Sequence, residues 1–363
     1  MIRCNNVQEQ TRDLCDAIAA RWRQALDAGA FILGDEVSRF ESWMSRRCGG
    51  ASAIAVNSGT DALQIALRAI GIGAGDEVIT CANSFIATVG AIVAIGAQPV
   101  LADVGEDELI SASTVAPLLG VRTRAVIPVH LRGRPVEMAP LVALCHAYGV
   151  VVVEDCAQAI GTTIDGRQVG TDRDAAAFSL HPLKTLGALG DGGVLVTTDP
   201  KIADYAKYAR NHGLHTRDEA IMFGINSRLD SLQAAVLNVK AQHLDAWLAR
   251  RRTIARFYDE TLAATATSTD LGAGRAGNAF YHYVVRSRDR DGLQKHLAAH
   301  GIEAAVHYPI PIHRQRAWLN YQPSVSLPHT ERLAREILSI PCHHHLSDAD
   351  VEQVATAIRR FRC

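Results

Sequence analysis

The chain has 363 residues, is 48% hydrophobic and 21% charged, and carries a formal net charge of −1, which is ordinary for a large globular enzyme with room for two domains. No basic run points to nucleic acid, no polybasic helix points to a membrane surface, and the longest apolar run, Phe85 to Ala97, is too short to span a bilayer. The start, Met-Ile-Arg-Cys-Asn-Asn, lacks the apolar stretch of a signal peptide, and the eight cysteines form no C-x-x-C pair, so reduced thiols and a cytoplasmic location are expected.

In chain order, short apolar runs alternate with helical patterns. Ala53 to Val56 predicts a strand and Ser58 to Ile70 a helix. Buried strands follow at Glu77 to Thr80, Pro99 to Ala102, Ala125 to Val129 and Val150 to Glu154, with the run from Phe85 as a buried helix among them. Continuous valine and isoleucine runs, rather than alternation, indicate a mostly parallel sheet covered on both faces. Ala175 to Ser179 and Gly193 to Thr197 add two strands, Pro200 to His212 a helix, and His215 to Glu219 a polar stretch. One long helix is expected from Arg228 to Tyr258, then an exposed loop over 264–279. A strand at Tyr281 to Val285 and helices near Asp291–Ala299, Thr330–Leu338 and Ser347–Phe361 complete the chain. The expected fold class is α/β, with a large domain over 1–240 that includes an N-terminal helix, and a linking helix with a small α/β domain over 241–363.

Among only five lysines in 37 basic residues, Lys184 alone sits in an apolar, glycine-rich turn, Phe178-Ser-Leu-His-Pro-Leu-Lys-Thr-Leu-Gly-Ala-Leu-Gly-Asp-Gly-Gly193. A desolvated lysine can lose its proton and attack a carbonyl, which arginine cannot do. A surface lysine beside a tight turn is the plain alternative. Asn57-Ser-Gly-Thr-Asp-Ala-Leu63, between a strand and a helix, offers backbone N–H groups and hydroxyls to a phosphate, or else is an ordinary helix cap. Asp155 ends a buried strand, where open α/β sheets meet their ligands, or caps the helix that follows. The glycines around Lys184 precede a strand and do not match a dinucleotide fingerprint. Together, cradle, acid and lysine suit pyridoxal 5'-phosphate, which needs an anion site, a carboxylate for its ring nitrogen and an amine for its carbonyl.

These segments resemble the pyridoxal-phosphate sugar aminotransferases of the DegT/DnrJ/StrS group, within the aspartate-aminotransferase fold superfamily. The resemblance runs nearly end to end. It includes Phe31-Ile-Leu-Gly-Asp-Glu-Val37, Gly73-Ala-Gly-Asp-Glu-Val-Ile79, Ile127-Pro-Val-His130, Glu154-Asp-Cys-Ala-Gln-Ala159, Arg210-Asn-His-Gly213, Asn226-Ser-Arg-Leu-Asp-Ser-Leu-Gln-Ala-Ala235 and His307-Tyr-Pro-Ile-Pro-Ile-His313. It implies that Lys184 is the catalytic lysine bound to the cofactor. Asp155 is then the partner of the pyridine nitrogen, Gln158 the contact to the phenolic oxygen and Phe85 the aromatic on the ring. Gly59, Thr60 and Ser179 are implied as phosphate ligands, and Asn226 as a phosphate contact donated by a neighbouring subunit, hence a homodimer with shared active sites. His181, Arg217, His307 and Tyr308 are implied as substrate contacts, and Arg228 receives the donor carboxylate or forms a structural ion pair.

The implied reaction moves an amino group from an amino acid, L-glutamate by expectation, to a nucleotide-linked keto-deoxysugar at C3, in amino-sugar biosynthesis. Alternatives are amination at C4, an aminocyclitol ketone, or a regulator that binds the cofactor without turnover. No metal is expected, since the adjacent histidines His343-His-His345 point apart and read as a loop or strand end. Cys342 carries no mark of an activated nucleophile. Where many relatives have a tyrosine or another residue, this chain has Arg132, in His130-Leu-Arg-Gly-Arg-Pro135. The guanidinium groups of Arg132 and Arg134 are expected on an acidic or diphosphate substrate or in solvent.

Overall fold

The computed structural model describes residues 1–171, 174–263, 268–269 and 277–362. Seven strands form the main sheet: β1 (Ser52–Val56), β2 (Glu77–Cys81), β3 (Gln98–Ala102), β4 (Thr123–Ile127), β5 (Val151–Asp155), β8 (Ala175–Ser179) and β9 (Gly193–Thr197). A small hairpin, β6 (Thr163–Ile164) with β7 (Arg167–Gln168), interrupts them. The spatial order is β1-β9-β8-β5-β4-β2-β3. Only β9 runs antiparallel to its neighbours, β1 and β8, and the remaining pairs are parallel. The continuous apolar strands are therefore buried on both faces, as their composition requires. One face packs on Phe40, Met44, Leu237 and Leu248, and the other on Leu63, Leu67, Ile92 and Ala206.

A second, antiparallel sheet holds β10 (Ser268–Thr269), β11 (Tyr283–Arg286) and β12 (Ile337–Ile340). Its core gathers Tyr258, Tyr283, Leu297, Leu338 and Ile358, and Ile2 from the chain start packs into the same cluster. No helix among the described residues is long and apolar enough to cross a membrane.

Several expected elements are redrawn. The stretch from Arg228 is not one helix: Ser231–Lys240 and Leu244–Leu262 are separated by a 3₁₀ turn at Ala241–His243. Arg228 to Asp230 stay outside because Asp230 is extended and bridges Ile32, while the Ser231 N–H donates to the Phe31 carbonyl. The helix expected at Thr330–Leu338 ends at Glu336, since Ile337–Ile340 pair edge to edge with β11. The buried helix after Phe85 spans Ile86–Ala94 and leaves Phe85 exposed at its N-cap. Three helices, Val7–Asp13, Cys15–Ala28 and Asp35–Arg47, replace the single N-terminal helix. Of the loop expected over 264–279, residues 264–267 and 270–276 lie outside the described residues, and Asn278 and Ala279 are buried.

Candidate active site

Register places the carboxyl ends of three strands together. Gly193 opens β9 opposite both Val56 of β1 and Ser179 of β8, and Asp155 ends the adjoining β5. The helix Gly59–Ala69 starts at this end, capped by Ser58, whose hydroxyl accepts from the Asp61 N–H at 3.0 Å. The capping reading of Ser58 is therefore correct, and it leaves the Gly59 and Thr60 N–H groups at the helix start, in the cleft wall. A Cβ on Gly59 would stand 2.9 Å from the Ser179 Cβ, and one on Gly193 2.3 Å from the Ser58 carbonyl. Only glycine allows the strand ends and the helix start to approach this closely.

Asp155 is buried, with Oδ2 accepting from the Thr88 hydroxyl at 2.8 Å and Oδ1 from the Ala157 N–H at 3.0 Å. Burial raises its carboxyl above the ordinary value, against the pull of those two bonds and of Lys184. Lys184 sits in the same cleft with its pKa lowered to about 8, by burial foremost, opposed by Asp155. Its Nζ lies 5.0 Å from the centre of the Tyr281 ring. Such a lysine is poised between the protonated and nucleophilic forms near neutral pH.

The second sheet's side of the cleft brings His307 and Tyr308. His307 bonds Ser339 Oγ through Nδ1 at 2.9 Å and stacks on His282 with ring centres 4.0 Å apart. Burial lowers its pKa to about 4, helped by Arg132 and Lys184, so the ring is neutral. Gln158 is buried; its Oε1 accepts from the Arg132 N–H at 2.7 Å, and its Nε2 donates to the Tyr308 hydroxyl at 3.0 Å. Phe85 lies 5.9 Å from the Tyr308 ring across the mouth.

The cleft, about 320 Å³, thus unites Gly59, Thr60, Phe85, Asp155, Gln158, Ser179, His181, Lys184, His307 and Tyr308 from five separate stretches of chain. Arg217, Asn226 and Arg228 do not line it. Arg217 and Asn226 are exposed, and Arg228 donates to Asn211 Oδ1 at 2.9 Å. Arg132 and Arg134 do not lie in solvent: both are buried, Arg132 paired with Glu108 and Arg134 donating to the Asp107 carbonyl, and neither lines the cleft. Thr88, Tyr281 and His282 are site residues that sequence reasoning did not single out. The spacing of Ser84 and Thr88, one helical turn apart and bonded at 2.9 Å, was the available signal for the first.

Neighbouring groups have structural explanations. Buried His130 accepts the Val136 N–H at Nδ1 and contacts Glu154 through Nε2 at 2.7 Å, which occupies both ring nitrogens of a cluster that includes Cys156. In the histidine run, His343 donates to the Arg3 carbonyl, His344 stacks on Trp247 and His345 faces Asp13. Cys342 is buried and its thiol is pushed up to about 12, which makes it inert.

The residues present fit pyridoxal phosphate. A lysine of lowered proton affinity, a buried carboxylate and a glycine-floored helix start share one cleft. Comparison with known proteins agrees. The model of the DegT/DnrJ/EryC1/StrS aminotransferase family matches residues 13–359. The dTDP-3-amino-3,4,6-trideoxy-alpha-D-glucose transaminase of Streptomyces venezuelae is 40% identical over 356 residues, 97% of this chain and 93% of that protein. The crystal structure of S. venezuelae DesV in complex with a ketimine intermediate superposes with a TM-score of 0.96 at 38% identity, covering 99% of this chain and 97% of that one. Bacillus subtilis NtdA with bound cofactor PMP superposes with a TM-score of 0.90 at 26% identity, covering 95% and 81%.

Proposed function

The chain belongs to the DegT/DnrJ/EryC1/StrS aminotransferase family and is a pyridoxal-phosphate-dependent transaminase, and from that premise we propose that it aminates C3 of a nucleotide-linked keto-deoxysugar with L-glutamate as donor. The observation that carries the chemistry is the meeting of Lys184, Asp155 and the helix start at Gly59 in one cleft. The name of the Streptomyces relative supports the sugar and the carbon.

When bound, pyridoxal phosphate supplies a carbonyl that exchanges between amines and a ring that draws electrons from the reacting carbon. The residues of the chain divide the remaining work. Gly59, Thr60 and Ser179 hold the phosphate, the first two through the positive end of their helix. Asp155, kept in place by Thr88 and Ala157, would hold a proton on the ring nitrogen of the bound cofactor, and that cation would favour the ionised carboxylate that burial alone disfavours. Gln158 presents its amide nitrogen to the phenolic oxygen, because its carbonyl oxygen is already taken by Arg132. Phe85, which lines the cleft, would cover the face of the bound ring. With the cofactor bound, Lys184 Nζ, whose pKa is lowered to about 8, would act as the base that accepts the proton of the amino-acid carbon and later gives it up.

His181, His307 and Tyr308 bind the sugar nucleotide. A neutral His307, anchored at Nδ1 by Ser339, keeps Nε2 for a substrate hydroxyl. Arg217, Asn226 and Arg228 reach the site of a second copy in a homodimer, which accounts for their exposed or peripheral positions on this one. Residues 1–240 form the cofactor-binding domain and 241–363 the small domain, and the enzyme works in the cytoplasm with reduced thiols.

The test is spectroscopic. The cofactor-loaded protein absorbs near the visible and loses that band on L-glutamate, and labelled nitrogen then passes from glutamate to a dTDP-linked 3-keto sugar. Lys184→Ala keeps the fold by circular dichroism and loses at least about 10²-fold in turnover, the low end for removal of a general base. Full turnover in that variant refutes the assignment of Lys184.

A further inference from the structure

Arg132 is the residue through which the two sheets' contributions to the cleft are joined. It sits in the turn Leu131–Gly133, is 4% exposed, and has a positive φ of 61°. Its guanidinium pairs with Glu108, itself 2% exposed with φ of 70°. Two non-glycine residues in the left-handed region mark backbone that the surroundings hold against its preference. The same guanidinium donates Nη2–H to the His307 carbonyl at 2.9 Å. The Arg132 N–H fixes Gln158, which in turn holds the Tyr308 hydroxyl. The Arg132 carbonyl accepts from the Tyr281 N–H at 2.9 Å. Gly133 presses against the same strand entry, where a Cβ would meet the Phe280 and Tyr281 nitrogens at 3.2 Å.

A buried guanidinium is tolerated only when its charge is paired and its donors are used. Here the planar fork spans a carboxylate on one side and a backbone carbonyl on the other, a geometry that lysine's single ammonium cannot reproduce. Beyond Glu108 and Gln158, the contacts of Arg132 run to the segments that carry His307, Tyr308, Tyr281 and His282.

We propose that Arg132, backed by Glu108, is a positioning residue for the amino acceptor. It clamps the His307–Tyr308 segment against the large sheet and thereby sets affinity for the sugar nucleotide, leaving the donor half-reaction untouched. The substrate side of this inference rests on the reading of His307 and Tyr308 as acceptor contacts.

The experiment compares the wild-type holoenzyme with Arg132→Lys and with the double variant Arg132→Met, Glu108→Gln. The first keeps a charge beside Glu108 and loses the second arm of the fork. The double variant removes both charges, and Arg286, which also reaches Glu108, keeps its pairing with Glu106. Amide hydrogen exchange by mass spectrometry reads residues 305–313, with 151–158 as internal reference. Both variants are expected to exchange faster over 305–313 by about tenfold, with the reference unchanged, because the clamp governs local opening. Spectral titration then separates the half-reactions. Bleaching by L-glutamate stays within about twofold, and the KM for dTDP-3-amino-3,4,6-trideoxy-α-D-glucose, run in reverse as the probe, rises about tenfold, as displaced contacts do. Unchanged exchange over 305–313 in both variants overturns the clamp, as does a parallel loss in the glutamate step. A wild-type enzyme that reacts with glutamate and ignores the amino sugar overturns the substrate reading instead, and the exchange result still decides the clamp.

Discussion

Lys184 and Lys240 share an electrostatic state and differ in use. Burial lowers both to about 8. Lys184 opens onto the cleft, whereas Lys240 is fully buried and donates Nζ–H to the Gly187 carbonyl at 2.8 Å, inside the turn that carries Lys184. The amphipathic helical pattern around Lys240 disguised this, since a helix-borne lysine ordinarily faces solvent. Its linkage to stability has a definite sign. A lysine with a folded pKa near 8 and an ordinary unfolded value near 10.5 sheds its proton first in the folded state. Stability therefore rises with pH between those values, at a slope approaching about 1.4 kcal/mol per pH unit, and is lowest below pH 8. Urea unfolding of the apo-protein at pH 7.5 and 9.5 measures this. The wild type gains stability over that interval relative to Lys240→Met, which lacks the group. Equal gains in both proteins contradict the buried, ionisable state of Lys240.

At the scale of elements, the phosphate cradle depends on close approach between the start of the helix Gly59–Ala69 and β8 and β9. A methyl on Gly59 meets Ser179 Cα at 3.2 Å as well as its Cβ, and neither belongs to a flexible chain end. Gly59→Ala is expected to push the helix start from the strand and cost about 1–3 kcal/mol by overpacking. Cofactor affinity falls with it, because the N–H groups that meet the phosphate move too. Equilibrium dialysis of the apo-protein against pyridoxal phosphate, paired with a melting curve, checks both, and unaltered binding contradicts the cradle assignment. The sequence showed this element well, since strand, glycine turn and helix follow within a few residues. It showed the helix after Asp230 badly, because its start is set by Phe31 and Ile32 pairing from 200 residues away. The strand Ile337–Ile340 was hidden for the same reason: its partner, β11, lies more than 50 residues upstream.

At the scale of the molecule, the second sheet is held by groups that local pattern does not announce. Arg251, on the helix Leu244–Leu262, is buried and donates to the carbonyls of Phe280, Tyr281 and Cys342 at 3.1, 3.3 and 2.5 Å. It ties the connecting helix to the strand entry at Tyr281 and to the segment leaving β12. Arg251→Met strips buried carbonyls of their donor and is expected to lower unfolding free energy by roughly 3 kcal/mol or more. The loss is read as a drop in the urea midpoint of the holoenzyme, and an unshifted midpoint contradicts the role.

The cofactor's requirements were legible in the sequence because each is met locally. A lysine in an apolar turn, an acid at a strand end and a glycine before a helix are short-range patterns, and pyridoxal phosphate needs all three. The parallel sheet was legible for a similar reason, since burial on both faces leaves continuous valine and isoleucine runs. What only the tertiary structure decided is which distant groups became partners. Arg132 read as a cation for a substrate or for solvent, and 24 residues upstream Glu108 read as nothing at all. Burial turned the pair inward, because a desolvated guanidinium must find its charge and its acceptors within the fold. The fate of a charge is set by the groups that folding brings against it, and those groups come from anywhere along the chain.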